Sequence, residues 1–303
     1  MKRLLTPIIL FIVFLPAVTP AVSAQTIYTH ADSLWISRRL HEPVEASSTA
    51  ELFLSVARQF LGKPYVAHTL DRNEYEKLVV DVQGVDCTTF IEYALALTFC
   101  LREGQTDFGN FLDYLRNIRY AGGEVSYTAR NHYFTVWTEN NIGKGFVEPV
   151  ELPPPPLSAI RRLQTDYMST HVSSYAMLDR HREWLPGIIR MEQSITGRQM
   201  QYIPKSKLND HRLLRDIIRD GDIIVIVTNK KGLDTSHIGI AVWQGGTLHL
   251  LNASQVHKKV VIEPLTLYRY MQKHPSQTGI NVVRVRESST SRHQADARSI
   301  QPS

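Results

Sequence analysis

The sequence predicts an α+β fold. Three observations carry that prediction: two stretches of helically spaced apolar residues near the start, a series of β-rich runs after residue 220, and turn signals between those runs. Ser48-Thr49-Ala50-Glu51 has the form of a capping box, and Leu52, Phe53, Val56, Ala57, Phe60 and Leu61 follow at helical spacing until Gly62 and Pro64 stop the helix. A loop with Pro64-Tyr65 leads through Leu78-Val79-Val80 to Gly84-Val85-Asp86-Cys87-Thr88-Thr89. From there Phe90, Ile91, Ala94, Leu95, Leu97 and Leu101 predict a second amphipathic helix with Cys87 in its first turn. Residues 103–215 read as an elaborate insertion. They hold the aromatic stretch Asn131 to Trp137, a proline run from Pro153 to Pro156 expected to be extended, and a mixed helical stretch from Leu157 to Glu192. Asp222 to Thr228, His237 to Trp243, Thr247 to Asn252, Lys259 to Glu263 and Gly279 to Val285 then read as strands, with Gly245-Gly246 as the clearest turn. The expectation is one domain over 25–285, after a signal peptide at 1–24 and before a disordered tail at 286–303.

The chain has 303 residues, 43% of them hydrophobic and 21% charged, which excludes disorder for most of its length. Lys2 and Arg3 precede an apolar run from Ile8 to Val18, and Val22-Ser23-Ala24 offers small residues where a signal peptidase reads. Pro7, Pro16 and Pro20 interrupt the run, leaving it short of the roughly 20 residues of a membrane span. No cysteine lies near the cleavage site to carry lipid. The expectation is a protein in the periplasm or outside the cell, without a stable membrane anchor. Losing Lys2 and Arg3 takes the formal charge from +5 to +3, and no basic run with interleaved aromatics suggests nucleic acid.

Two cysteines make neither a disulfide scaffold nor a zinc site built on paired Cys-x-x-Cys motifs. On one helix, Cys87 and Cys100 would stand about 20 Å apart, too far for a disulfide. Cys100 reads as a buried small hydrophobe. Cys87, at a helix N-terminus, is either a thiol activated by the helix dipole, beside N–H groups suited to an oxyanion, or an inert half-buried side chain. Among twelve histidines, His237 opens a strand after a polar loop, and alternation puts it on one face with Gly239 and Ala241, small enough to leave room for the helix that carries Cys87. In the next strand Asn252 shares a face with Leu248 and Leu250, which makes it the best orienting partner for His237. His257 is a weaker rival, and a surface histidine or a turn asparagine is the bland alternative. No Gly-x-Ser-x-Gly, phosphate-loop or His-Glu-x-x-His motif competes.

With these residues in view, the sequence resembles the NlpC-type, papain-like cysteine peptidases and amidases of bacterial cell walls. The resemblance rests on Gly62-Lys63-Pro64-Tyr65, Asp86-Cys87-Thr88-Thr89-Phe90, Gly221-Asp222-Ile223-Ile224, Ser236-His237-Ile238-Gly239-Ile240 and Leu251-Asn252-Ala253-Ser254, in that order. More closely it resembles the N-acetylmuramoyl-L-alanine amidase-like branch, through Cys87-Thr88-Thr89-Phe90-x-Glu92, Tyr202-Ile203-Pro204-Lys205 and Lys231-Gly232-Leu233-Asp234-x-Ser236-His237. In that branch a histidine commonly stands where this chain has Asn252. The resemblance covers about residues 50 to 285. It implies a papain-like core, with the helix that carries the nucleophile packed on the C-terminal antiparallel sheet. It also implies cysteine-dependent hydrolysis of the amide between N-acetylmuramic acid and L-alanine in peptidoglycan fragments, with no cofactor or metal. The implied catalytic set is Cys87, His237, Asn252 and the Tyr65 hydroxyl. Candidate substrate-binding residues are Asp86, Thr88, Asp234 and Ser236 in the motifs, with Arg130, Asn131 and Tyr133 in the insertion, where Tyr133 and Trp137 also read as core aromatics. The alternatives are cleavage between D-glutamate and the diamino acid of the stem, a zinc amidase using scattered histidines, and a non-catalytic wall-binding module.

Overall fold

A computed structural model describes residues 26–287; the signal-peptide segment and all but the first two residues of the expected tail lie outside them. The order is β1 (Thr26–Ile27), α1 (His30–His41), α2 (Thr49–Arg58), β2 (Leu78–Val79), α3 (Cys87–Arg102), α4 (Phe108–Arg119), α5 (Phe134–Gly143), β3 (Val147–Pro149), β4 (Ala159–Arg162), α6 (Tyr167–Thr170), α7 (Ala176–Arg180), α8 (Leu185–Ile195), β5 (Gln199–Pro204), α9 (His211–Ile217), β6 (Ile223–Thr228), β7 (Thr235–Gln244), β8 (Thr247–Ser254), β9 (Lys259–Ile262), α10 (Leu267–Gln272) and β10 (Gln277–Val285). This is the expected α+β arrangement. Among the described residues no helix is long and apolar enough to cross a membrane.

The main sheet is antiparallel, in the order β4-β5-β10-β6-β7-β8-β9, and β3 pairs with β10 beyond the end of β5. Three of its strands, β3, β4 and β5, come from the insertion, which therefore completes the sheet. Short length and mixed polarity hid them: β4 alternates half-buried and exposed positions and keeps Ile160 in solvent. The proline run turns at residues 155–156 and is not extended throughout.

Apolar side chains divide between the two faces of the sheet. Ile238, Ile240 and Val242 of β7 pack with the core of α1 to α4, whereas Ala241, Leu248 and Leu250 pack with Leu267, Tyr270 and Met271 of α10. A third cluster, with Tyr127, Met177 and Ile188, belongs to the insertion. Helix α3 is the centre of the first core. Every residue from Thr89 to Cys100 is buried, so it is a fully enclosed helix rather than the amphipathic one its spacing predicts. Both cysteines lie on it unpaired, with Cys100 buried as expected. At α2, Ser48 caps the Glu51 N–H, but the Glu51 carboxylate turns back to Ser47 instead of Ser48. The α2 amides of Thr49 and Ala50 are also held by the carboxylate of Glu287, just past β10.

These faces correct one expectation. The helix carrying Cys87 packs on the Ile238 side of β7, not on the side of Gly239 and Ala241. Gly239 is small for another reason: a Cβ there would lie 2.8 Å from Leu250 Cδ1 and 2.8 Å from the Leu251 carbonyl oxygen. The paired strand cannot retreat without breaking its ladder. Gly239→Ala is therefore expected to destabilise the protein by about 1–3 kcal/mol, the usual cost of overpacking a core. Denaturant unfolding at pH 7 checks it, and an unchanged midpoint would refute it.

Candidate active site

Asp86 is the N-cap of α3. Its Oδ1 accepts from the Thr88 N–H (3.1 Å), the Thr89 N–H (2.8 Å) and the Thr89 hydroxyl (2.9 Å), while Thr89 Oγ1 accepts the Asp86 N–H (2.9 Å). Cys87 is thereby the first residue of the helix, with Thr88 Oγ1 at 4.0 Å from its sulfur. The backbone of Ile238, next to His237, lies near that sulfur and favours its charged form slightly. Burial, and then the Asp86 carboxylate one residue away, push the thiol up to about 12, against the lowering expected from the helix dipole. Burial also holds the His237 imidazole below its ordinary value; its bond to Asn252 and the charge of Glu263 work the other way. The resting site thus holds a neutral thiol and a neutral imidazole.

His237 Nε2 is 2.9 Å from Asn252 Oδ1. Asn252 Nδ2 donates to Glu263 Oε1 at 3.0 Å, and His257 Nε2 is 3.1 Å from Glu263 Oε2. The two candidates for orienting His237 therefore sit on one string, Asn252 in direct contact and His257 three links away, beyond Glu263. Glu263 was missed, although it ends the run Lys259 to Glu263: Asn252 pairs with Val261, so parity puts Glu263 on the same face.

Cys87 and His237 line one cleft of about 430 Å³, within the range of small-molecule sites. Tyr65, Asp86, Thr88, Arg130, Asn131, Tyr133, Asp234 and Ser236 line it too, and Asn252 stands behind His237. Several of them have structural partners. Asp86 Oδ1 is spent on the helix cap. The Asn131 amide bonds Ile118 O and Asn140, and the Tyr133 hydroxyl bonds Glu192 and the Met168 N–H. Asp234 accepts from the Thr135 N–H (2.7 Å) and the Thr235 N–H (2.6 Å), which joins the loop before β7 to the start of α5. Arg130 is buried against Asp71 (2.6 Å) and Glu76 (3.7 Å). Trp137 is a core residue stacked on Phe134. Ser236 is exposed at the rim. Burial raises the Tyr65 hydroxyl to about 12, with Cys87 adding to it, which keeps it a proton donor at neutral pH.

The cleft floor holds groups not singled out from the sequence. Arg119 Nε meets Glu92 Oε2 at 2.6 Å, which explains the Glu92 of the motif. His132 Nε2 is 2.7 Å from the Tyr127 carbonyl. Burial, and then Arg130, drive His132 down to about 3, so it stays neutral. Among the described residues no group of three or more His, Cys, Asp or Glu side chains could hold a metal ion.

The profile of the N-acetylmuramoyl-L-alanine amidase-like family matches residues 55–280. The chain belongs to that family. Its fold is shared by an N-acetylmuramoyl-L-alanine amidase of Bacteroides uniformis, at 37% identity and a TM-score of 0.73, over 78% of this chain and 99% of that one. A Bacteroides fragilis protein described provisionally as a xylanase is also 37% identical, with a TM-score of 0.71 over 76% of this chain and 100% of that one. A Legionella pneumophila protein at 22% identity shares the fold, with a TM-score of 0.66 over 84% of this chain and 95% of that one. No curated protein matches the sequence. As a member of an amidase-like hydrolase family, the chain has its motif residues Tyr65, Cys87, Glu92 and His237 around one cleft.

Two expectations follow from the electrostatics. Alkylation of Cys87 by iodoacetamide, read by peptide mass spectrometry, should be slower at pH 7 than for an unperturbed thiol and should climb with pH beyond pH 10; a rate that levels off below pH 8 would contradict it. For His132, the folded value near 3 lies below the ordinary 6.5, so its contribution to stability is complete above pH 6.5 and is lost as pH falls toward 3. By pH 4.5 that loss is on the order of 2–3 kcal/mol. His132→Gln, which keeps a donor for Tyr127, should be less stable at pH 7.5 yet lose less on acidification. Equal acid slopes in the two proteins would refute this.

Proposed function

We propose that this protein is a secreted cysteine amidase that hydrolyses the N-acetylmuramoyl-L-alanine bond of peptidoglycan fragments. The observation that carries the reading is the 2.9 Å His237–Asn252 bond at the cleft that Cys87 lines, in a chain of the amidase-like family. Asn252 Oδ1 only accepts, so His237 Nε2 carries a proton and Nδ1 is the basic nitrogen. As the Cys87 sulfur attacks the lactyl carbonyl, Nδ1 takes the thiol proton. Asp86 holds the N–H groups of Thr88 and Thr89, which leaves the Cys87 N–H, beside its own sulfur, as the amide of this turn suited to an oxyanion. It is the oxyanion donor, with the Tyr65 hydroxyl as second donor. The imidazolium then protonates the leaving L-alanine nitrogen as the C–N bond breaks. Water, deprotonated by Nδ1, attacks the thioester; as the C–S bond breaks, Nδ1 returns that proton to the sulfur, and the lactyl carboxylic acid leaves and ionises to solvent.

The description of the Bacteroides fragilis structure makes a glycosidase the rival. A retaining glycosidase needs two free carboxyl groups about 5 Å apart. Here the carboxylates lining the cleft have other partners: Asp71 on Arg130, Glu92 on Arg119, Asp86 on its helix and Asp234 on Thr135. The basic residues, apolar run and small-residue site at the N-terminus support export. The insertion residues lining the cleft, Met168 and Tyr175 among them, support a wall for the sugar.

Mass spectrometry of muropeptide digests tests the reading. Cleavage at the lactyl amide adds one water and yields a peptide beginning with L-alanine; a peptide beginning with the diamino acid would refute it in favour of an endopeptidase. Cys87→Ala and His237→Ala should each lower kcat by about 10³-fold or more, and Asn252→Ala by about 10–100-fold. Full activity in Cys87→Ala would rule out the thiol mechanism.

A further inference from the structure

We infer that Glu263 is a positioning residue that fixes the working orientation of the Asn252–His237 pair from behind Asn252, with His257 as its outer partner. The inference rests on the Cys87–His237 reading above.

An asparagine amide has two ends of nearly equal size, so its hydrogen bonds decide which one meets the imidazole: Nδ2 has a long contact to the Leu250 carbonyl (3.4 Å) and a shorter one to Glu263 Oε1 (3.0 Å). Glu263 is the stronger acceptor. Its side chain is buried, at 3% exposure, and a carboxylate only accepts hydrogen bonds, so Asn252 must present Nδ2 to Oε1 at 3.0 Å. The amide oxygen is then left for His237 Nε2 at 2.9 Å. The backbone of Glu263 is pinned as well: its N–H donates to Leu250 O (2.8 Å), and its carbonyl lies 2.9 Å from His249 Nδ1. The second carboxylate oxygen faces His257 Nε2 at 3.1 Å, which keeps the carboxylate from rotating away from Asn252. The polarity of each link sets that of the next, outward in, and ends with the proton of His237 on Nε2. Without the acceptor at 263, only the long contact to the Leu250 carbonyl opposes a turn of the amide. Nδ2 would then face the imidazole, Nε2 would have to accept, and the proton would move to Nδ1. A His237 in that tautomer cannot take a proton from Cys87.

The test compares kcat and KM on disaccharide-tetrapeptide muropeptides. Glu263→Met is expected to lower kcat about 10–100-fold while KM stays within about twofold, as for other residues that orient a catalytic group. Glu263→Gln should remain within about threefold of the parent, because its amide oxygen still accepts from Asn252 and its amide nitrogen can donate to His257. In an Asn252→Ala background, Glu263→Met should cost less than about twofold more, since the residue acts through Asn252. A parental kcat in Glu263→Met, or losses that multiply in the double variant, would overturn the inference. If Glu263→Met does not fold, ¹⁵N shifts of His237 in the parent and in Glu263→Gln decide the matter: both must show the Nε2–H tautomer, and Nδ1–H in the parent refutes it. Cys87→Ala is assayed alongside. Activity there would remove the thiol reading and this inference together, whereas an inactive Cys87→Ala beside a fully active Glu263→Met removes this inference alone.

Discussion

One carboxylate oxygen, Asp86 Oδ1, ties down the start of α3, and the site is built around that attachment. By taking the N–H groups of Thr88 and Thr89 it fixes where the helix begins, and so fixes Cys87 as its first residue. It leaves the Cys87 amide for the sulfur and whatever reaches it. The same carboxylate, one residue from the sulfur, opposes formation of a thiolate. Burial, with the charge of that cap added to it, keeps the thiol's proton on, so the proton has to leave as the sulfur reacts. That requirement makes the state of His237, and hence the orientation of Asn252, more important than it would be for a standing ion pair.

The loop that delivers His237 is held with similar rigidity, and the insertion does much of the holding. Asp234 sits on the first turn of α5, Thr165 bridges to Gly232, and Arg161 donates to the Leu233 carbonyl. Strands β3 to β5 continue the same sheet. The region that looked like an elaboration of the core is part of what aims the imidazole.

Much of this was legible in the sequence. The strands from β6 onward, the helix carrying Cys87, the free state of both cysteines and the Asn252–His237 pairing all follow from periodicity and helix geometry. Parity of strand residues tells which side chains share a face, and it paired Asn252 with His237 correctly in that sense. It does not tell what covers that face, and this is why Gly239 was assigned to the wrong neighbour. Polar residues around a cleft are ambiguous for a similar reason. Asn131 and Tyr133 look like ligand-binding groups until their partners, Ile118 and Glu192, are known, and both partners are remote in sequence. Helix α1, which was not read from the sequence, also owes its order to long-range contacts: buried Ile36 and Leu40 join the core around α3, and Asp32 receives the Val82 N–H.

The position of β10 has a consequence for how the chain becomes a protein. It is the last strand among the described residues, yet it lies inside the sheet between β5 and β6, and Glu287 just beyond it holds the start of α2. During synthesis the sheet therefore stays divided, and α2 lacks those two bonds, until nearly the whole described sequence has emerged. Closing such distant pairings is slow. A chain that cannot finish folding until it is almost complete keeps the facing edges of β5 and β6 unpaired until β10 arrives between them.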